Sequence, residues 1–103
     1  MDQDPRLTHQ TLKVLRMFMN DPVKAFAGSD IAKETRLMSG TLYPILARLE
    51  KAGWLTSEWE VLDPSEEGRP RKRHYQITAL GQNRTNQAFS ELGVQQGRPA
   101  WSF

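Results

Sequence analysis

The spacing of the apolar residues changes at Gly53, and this change limits the folds open to the chain. Before Gly53, apolar residues recur every three or four positions, which is the spacing of helices with one buried face. After Gly53 they alternate with polar residues over Leu55–Val61 and again over Arg73–Ile77, which is the spacing of strands. A polar segment rich in turn-forming residues, 63–70, joins the two runs. Together the two runs predict a β-hairpin.

Three helices are predicted before the hairpin and one after it. Each begins beside a hydroxyl side chain that can accept a hydrogen bond from the first turn. The predicted caps are Thr8, Ser29, Ser39 and Thr78. The second helix is expected over about Asp30–Arg36, the third up to Gly53, and the fourth over about Ala79–Leu92. Residues 24–28 fit either a small strand or a turn.

This order of elements predicts a mainly α fold with a β-hairpin. A short turn separates the second and third helices, so the pattern is that of a winged helix-turn-helix with a three-helix core, a two-stranded wing and a C-terminal helix. A chain of 103 residues is long enough for one domain. We expect a flexible tail over 1–6, the winged helix with a C-terminal dimerisation helix over 7–92, and a second flexible tail over 93–103.

The charged residues are unevenly distributed, although the net charge is only +2. An acidic run over 58–67 is followed at once by four cations on or beside the tip of the hairpin. This wing basic cluster comprises Arg69, Arg71, Lys72 and Arg73. Because salt screens distant charges, a local cluster of this kind can bind a polyanion even on a nearly neutral protein.

The outer face of the third helix has the residue types of a DNA-reading surface. A helix-turn-helix places its second helix in the major groove, so the residues opposite the apolar stripe would contact DNA. The predicted contacts are Ser39, Gly40, Thr41, Tyr43, Pro44, Arg48 and Lys51. Two simpler interpretations stay open: Tyr43 packs at the helix edge, and Arg48 pairs with Glu34 or Glu50.

Two motifs in this order resemble the PadR-type bacterial transcriptional regulators. The first is "SGTLYPILARLEKAGWL" and the second is "GRPRKRHYQITALG". The positions that match the family pattern are Gly40, Leu42, Tyr43, Leu46, Arg48, Leu49, Glu50, Gly53, Gly68, Arg71, Tyr75, Ile77, Thr78 and Gly81. The resemblance extends over roughly residues 8–92, and two spaced motifs are more specific than either alone.

The resemblance implies a winged helix, a homodimer, and repression through binding of a palindromic operator. It also implies that Tyr43 and the wing contact double-stranded DNA. Fuller members of the family continue into a long C-terminal dimerisation region, whereas here one helix and a tail follow the wing. The two subunits would then join through the first and last helices. The expected dimer residues are Leu12, Leu15, Phe89 and Leu92.

The tryptophans allow two interpretations. Trp54 and Trp59 fit packing in the core or the hairpin, but some regulators of this type bind flat aromatic molecules between subunits through tryptophan. A small aromatic effector with Trp54 or Trp59 in its pocket therefore stays open. Trp101 and Phe103 in the tail are either disordered or docked on a partner.

Several function classes are not supported by the residues present. The chain has no cysteine, and its two histidines, His9 and His74, lie far apart without clustered carboxylates, so we expect neither a metal site nor a cofactor. No nucleophile elbow or phosphate-binding loop occurs, so we expect no enzyme. No apolar run spans a membrane, and the start lacks a signal-peptide pattern, so we expect a cytoplasmic protein. A winged helix that binds proteins rather than DNA is an alternative, supported by the acidic run.

Overall fold

The fold is mainly helical, with a small antiparallel sheet, as the sequence predicts. The structure is a computed structural model that describes residues 4–96. Its elements are α1 (His9–Asn20), β1 (Phe26–Ala27), α2 (Gly28–Thr35), α3 (Ser39–Lys51), β2 (Leu55–Trp59), α4 (Pro64–Glu67), β3 (Arg73–Ile77) and α5 (Ala79–Gln96). Helices α2 and α3 form the helix-turn-helix, and β2 and β3 form the wing. Trp101 and Phe103 lie outside the described residues.

The sheet has three strands rather than the two expected from the hairpin alone. Strand β3 is central, with β1 and β2 antiparallel on either side. Tyr75 of β3 is paired with Phe26 on one side and with Ser57 on the other. The two-residue β1 resolves the open interpretation of residues 24–28 in favour of a strand. Its pairing with β3 attaches the base of the wing to the helical part of the domain.

The core lies between the helices and one face of the sheet. Each helix contributes the apolar stripe that its spacing predicts, and the wing strands contribute alternate residues. The largest side chains that are fully buried are Trp54, Phe18, Leu15, Ile31, Leu42, Leu46, Leu49 and Val14. Because α3 supplies three of these, its opposite face is directed to solvent.

Two of the four predicted helix caps are wrong. Thr8 caps α1 by accepting a hydrogen bond from the Thr11 N–H at 3.2 Å, as predicted. Ser29 and Ser39 lie inside the first turns of α2 and α3. The residue before α2 is Ala27, and the Asp30 carboxylate accepts its N–H at 3.3 Å. Asp30, in the first turn, thus satisfies an N–H at the start of α2, although no side chain before the helix caps it.

Helix α3 contains Pro44 in its interior and ends before Gly53. Proline has no N–H and cannot donate to the carbonyl four residues earlier, which here belongs to Gly40. The helix continues through this position to Lys51. Gly53 then has φ +81°, a left-handed conformation that glycine adopts without steric cost, and this ends α3 as predicted.

Thr78 joins the end of α3 to the start of α5. Its Oγ1 donates to the Gly53 carbonyl at 2.6 Å and accepts the N–H of Gly81 at 3.0 Å, which confirms the predicted cap. A Cβ at Gly81 would overlap the Trp54 carbonyl oxygen, so the first turn of α5 packs directly on that backbone. Helix α5 continues to Gln96 rather than stopping at Leu92.

Candidate nucleic-acid interface

The outer face of α3 is exposed along its whole length. Leu42, Ile45, Leu46 and Leu49 are buried and fix the orientation of the helix. All seven predicted contact residues are exposed: Ser39, Gly40, Thr41, Tyr43, Pro44, Arg48 and Lys51. The face is therefore accessible to a macromolecule without any change in the fold.

Tyr43 is both packed and accessible. Its side chain is 45% exposed, and its ring lies against the backbone of Gly28, at the start of α2. A Cβ at Gly28 would come within 2.9 Å of two ring carbons, so the ring takes this position because residue 28 is a glycine. The sequence analysis did not identify this role of Gly28, since the contact joins residues of different helices. The ring orientation is thus set by α2, while the exposed part of the ring is directed to solvent.

The two cations on α3 have no partners in residues 4–96. Neither Arg48 nor Lys51 forms an ion pair or hydrogen bond there through its side chain. The open alternative for Arg48 is not formed, since Arg48 pairs with neither Glu34 nor Glu50 in this range; Glu50 is bound by Ser57 and Arg73. Two positive charges on this helix remain available to an anionic ligand.

A concave surface separates α3 from the wing, and we call it the α3–wing groove. Its volume is about 500 Å³, and it is lined by Tyr43, Ala47, Glu50, Lys51, Arg73 and Tyr75. Residues from the exposed helix face and from β3 therefore border one depression. The helix face and the wing, each predicted from the sequence to contact DNA, are thus adjacent in the folded chain. Burial raises the pKa of the Tyr75 phenol, which is only 6% exposed at the floor of the groove.

Arg73 is held at the wing side of this groove by several groups. Its Nε donates to Ser57 Oγ at 2.8 Å, and its Nη2 lies 3.3 Å from both carboxylate oxygens of Glu50. Ser57 Oγ in turn donates to Glu50 Oε2 at 2.6 Å. The guanidinium carbon lies 5.5 Å from the ring centre of Trp59 and 5.9 Å from that of Tyr75. Glu50 and Ser57 were not identified from the sequence as site residues, although alternation in the strands places Ser57 and Arg73 on one face.

Arg69 is also held within the wing. Its Nη1 and Nη2 donate to the two Glu60 carboxylate oxygens at 2.7 and 3.2 Å, and the Lys72 N–H donates to Glu60 Oε1 at 2.8 Å. The Arg69 hydrogen bonds, followed by that from Lys72, lower the pKa of Glu60 to about 2. The bound carboxylate raises the pKa of Arg69. Glu60 therefore keeps its charge down to low pH and closes the base of the wing loop.

The remaining two members of the wing basic cluster are more accessible. Arg71 is exposed and uses its Nε to donate to the Leu62 carbonyl at 3.0 Å, which leaves the rest of its guanidinium accessible. Lys72 is exposed, and in residues 4–96 its ammonium group has no partner. The cluster thus divides into two held arginines, Arg69 and Arg73, and two accessible cations.

The acidic run does not form one surface. Glu58 lies opposite His74 in the wing, and alternation along β2 directs its side chain away from the face of Ser57 and Trp59. Asp63 accepts hydrogen bonds from Ser65, which lower the pKa of the Asp63 carboxyl, and it begins the short helix α4. Glu60 is bound by Arg69. The acidic run therefore gives little support to a protein-binding alternative.

The two described tryptophans have different environments. Trp54 is 2% exposed and belongs to the core, so the interpretation as core packing is correct. Trp59 is 58% exposed and packs against Arg73 in the wing. The two rings do not form a shared aromatic pocket.

The four predicted dimer residues are not equally accessible. Leu15 is completely buried in the core, and Phe89 is 6% exposed. Phe89, expected at the subunit contact, is covered by its own chain, in which α5 packs against α1. Leu12 and Leu92 are half-buried and retain accessible surface.

Neither a metal centre nor a membrane span is found in the described residues. Over 4–96, no three His, Asp or Glu side chains are grouped to hold a metal ion. None of the helices in that range combines the length and the apolar character needed to cross a bilayer.

Comparison with known proteins identifies the family. Residues 27–87 match the model of the "Transcriptional regulator PadR-like family". The chain belongs to the PadR-like family. This match spans α2, α3 and the wing, and so includes the α3–wing groove. Membership makes the chain a transcriptional regulator and not an enzyme, as the sequence analysis predicted. Among curated proteins, none matches this chain.

Solved structures share this fold. A PadR family transcription regulator from Clostridium difficile R20291 has a TM-score of 0.72 at 21% identity, with 87% of this chain and 93% of that chain covered. A PadR-like transcription factor from Bacteroides fragilis has a TM-score of 0.68 at 22% identity, covering 85% and 86%. Overoxidized AbfR of Staphylococcus epidermidis, solved bound to DNA, has a TM-score of 0.70 at 24% identity, covering 86% and 60%. At these identities the likeness establishes the winged-helix fold.

Proposed function

We propose that this PadR-like regulator binds double-stranded DNA in a sequence-specific manner through α3 and the wing. The observation that carries the proposal is the α3–wing groove, where an exposed helix face and a wing strand border the same depression. A helix of this size fits the major groove, and the wing beside it is placed to reach the adjacent backbone. The fold shared with DNA-bound AbfR is consistent with this mode.

The residues on α3 divide into two groups by their position on the helix. Ser39, Gly40 and Thr41 form its first turn, where the helix dipole attracts phosphate; the Thr41 N–H already donates to the Met38 carbonyl at 2.9 Å, so the N–H groups of Ser39 and Gly40 are the ones assigned to it. Tyr43, Pro44, Arg48 and Lys51 follow along the exposed face and are assigned to base edges and nearby phosphates. Tyr43 offers a hydroxyl and an apolar ring, and the two cations offer donors for guanine.

The wing contributes mainly charge. Arg71 and Lys72 are exposed, and we assign them to the backbone beside the recognised base pairs. Each phosphate that they neutralise releases condensed counterions, so affinity should fall steeply with salt. Arg69 and Arg73 are already bound to Glu60 and Glu50, and they are assigned a lesser share of direct contacts.

We further propose that the regulator acts as a homodimer on a palindromic operator and represses transcription. Two recognition helices related by a two-fold axis would read two half-sites about one helical turn apart. Leu12 on α1 and Leu92 on α5 are the partly exposed apolar residues assigned to the subunit contact. Leu15 and Phe89 support this surface from beneath, because both are buried in the folded chain.

A fluorescence anisotropy titration tests DNA binding. Duplexes from upstream of the protein's own gene and a scrambled duplex of equal length would be titrated at three salt concentrations. We expect tighter binding to the specific duplex and a linear fall of log affinity with log salt. Equal affinity for both duplexes, or no salt dependence, would contradict the proposal.

Sedimentation velocity tests the subunit contact. Leu12→Gln should lower the dimer fraction, whereas Leu80→Gln is the matched control, because Leu80 is 42% exposed and lies at the other end of α5 from Leu92. Circular dichroism would verify that both variants fold. A Leu12→Gln variant that stays fully dimeric would show that the contact lies elsewhere.

A further inference from the structure

We propose that Glu50 is a positioning residue that fixes the wing to α3 by holding Arg73, and that Arg73 serves this joint rather than a DNA phosphate. The inference rests on the proposed DNA binding and assigns a division of labour within the same site. It concerns three elements, since Glu50 is on α3, Ser57 on β2 and Arg73 on β3.

The three polar side chains form a closed set of hydrogen bonds. Ser57 Oγ donates to Glu50 at 2.6 Å and accepts from Arg73 Nε at 2.8 Å, while Arg73 Nη2 lies 3.3 Å from both Glu50 oxygens. Each group therefore contacts the other two. Breaking one bond leaves the other groups with poorer partners, and for this reason the set should act as one unit.

The rings around Arg73 further restrict it. Its guanidinium lies within 6 Å of the ring centres of Trp59 and Tyr75, where the electron-rich ring faces attract a cation. To donate its Nε or Nη2 to a phosphate, Arg73 would have to give up its bonds to a hydroxyl and a carboxylate and move away from two rings. Lys72 and Arg71, beside it in sequence, need no such rearrangement.

The negative charge of Glu50 is a further reason for its pairing with Arg73. Its carboxylate lines the α3–wing groove next to Lys51 and would repel an approaching phosphate if it were unpaired. Arg73 neutralises that carboxylate and keeps it on the wing side of the groove. Lys51 then remains the unpaired cation at this part of the groove.

The first test uses the protein without DNA. In ¹⁵N NMR spectra at low temperature, the Nε–H of Arg73 should exchange slowly with water in the wild type, and this protection should be lost in Glu50→Gln. Glu58→Gln is the matched control, because it removes the same charge from an exposed wing residue that points away from the groove. Protection that survives in Glu50→Gln, or that is lost equally in Glu58→Gln, would overturn the inference.

The second test measures DNA binding of the same variants over a salt series. We expect Glu50→Gln to bind specific duplex roughly 2- to 30-fold more weakly with an unchanged salt slope. The substitution loses the fixed position of the wing, but it removes no contact to phosphate. Glu58→Gln should not share this loss. If Arg73 were held back from phosphate by Glu50, Glu50→Gln would instead bind more tightly with a steeper slope, and that result would refute the assignment.

Arg73→Lys separates geometry from charge. Lysine keeps the positive charge but lacks the planar fork that bonds both Ser57 and Glu50, so we expect the same weakening and slope as in Glu50→Gln, and no further loss in the double variant. Wild-type affinity in Arg73→Lys would indicate a simple charge role and overturn the inference. If even the wild type fails to bind DNA, the proposed function fails, while the NMR comparison still decides whether Glu50 holds Arg73.

Discussion

The outer face of α3 and the wing both carry cations, yet these cations are in different states. Arg48 and Lys51 on α3 have no partner over residues 4–96. In the wing, Arg69 and Arg73 are bound to carboxylates, whereas Arg71 and Lys72 form no ion pair within residues 4–96. A count of basic residues therefore overestimates the charge that the wing can offer to a ligand.

The difference follows from how the two surfaces are built. A helix that is buried along one stripe has its backbone held in place by the core, so the outer side chains are not needed to maintain its shape. A long wing loop has no core, and Glu60 and Asp63 hold it through hydrogen bonds to Arg69, Lys72 and Ser65. The wing thus uses part of its charge to maintain its own shape.

The largest expected effects come from the exposed face of α3. Tyr43→Ala and Lys51→Ala should each weaken specific DNA binding by about 1–3 kcal/mol, because each removes a contact near the base edges. Anisotropy titrations with specific and scrambled duplexes measure the effect. An equal loss for both duplexes would indicate that these residues contact the DNA backbone rather than base edges. The role of α3 would then differ less from that of the wing.

Gly28→Ala tests whether α2 sets the position of Tyr43. The added Cβ would come within 2.9 Å of the tyrosine ring, so the ring must move, and we expect the free energy of unfolding to fall by about 1–2 kcal/mol. Gly40→Ala is the matched control, since a Cβ there meets no atom within 4 Å. Alanine in a helix should raise stability at that position by about 0.5–1 kcal/mol. Chemical denaturation and the ring resonances of Tyr43 measure both changes. Equal behaviour of the two variants would argue against the contact.

Lys72→Ala and Arg69→Ala compare an accessible and a held cation within the wing. Lys72→Ala should lower affinity for all duplexes alike and reduce the salt slope by about one counterion. Arg69→Ala should change the slope less, since its charge is already balanced by Glu60. Arg71→Ala should behave like Lys72→Ala. If Arg69→Ala reduced the slope as much as Lys72→Ala, the division of the wing basic cluster would be wrong.

The smallest expected effect is the pH dependence of the wing loop. The pKa of Glu60 is lowered from 4.5 to about 2, so its contribution to stability is present above pH 4.5 and is lost as the pH falls towards 2. The carboxyl carbon of Glu60, followed by NMR, should titrate in that range. Glu60→Gln should remove the contribution of this carboxylate, so that the free energy of unfolding depends less on pH between about 2 and 4.5. An ordinary titration near pH 4.5 would contradict the Arg69–Glu60 pair.

The sequence was sufficient to predict the four longer helices, the hairpin and the orientation of α3, but it left β1 open and did not predict the short helix α4 within residues 63–70. The apolar stripe of α3 and the change of spacing at Gly53 indicate which side of each element faces the core. The folded chain buries that same side. The exposed face of α3 could be predicted for the same reason. Whether it contacts DNA is still a proposal.

Contacts between elements that are distant in sequence could not be predicted. The positions of Glu50 and Arg73 do not reveal that they meet, because this depends on how the wing packs against α3. The same holds for Gly28 beneath Tyr43. Leu15 and Phe89 were expected at the subunit contact. Their burial within one chain could not be predicted, because it depends on how α1 and α5 pack. The two predicted serine caps are wrong for different reasons. At α2 the N–H before the helix is bound by a carboxylate of the first turn, and at α3 no side chain caps the helix.

Pro44 has a consequence for how the recognition surface can change. Because it lacks an amide hydrogen, the carbonyl of Gly40 does not receive the usual helical bond from the fourth residue along. Both residues lie on the exposed side of α3. A substitution at position 44 would restore an N–H that can bond to the Gly40 carbonyl. Such a change would therefore alter the main chain of the helix as well as the side chain displayed on this face.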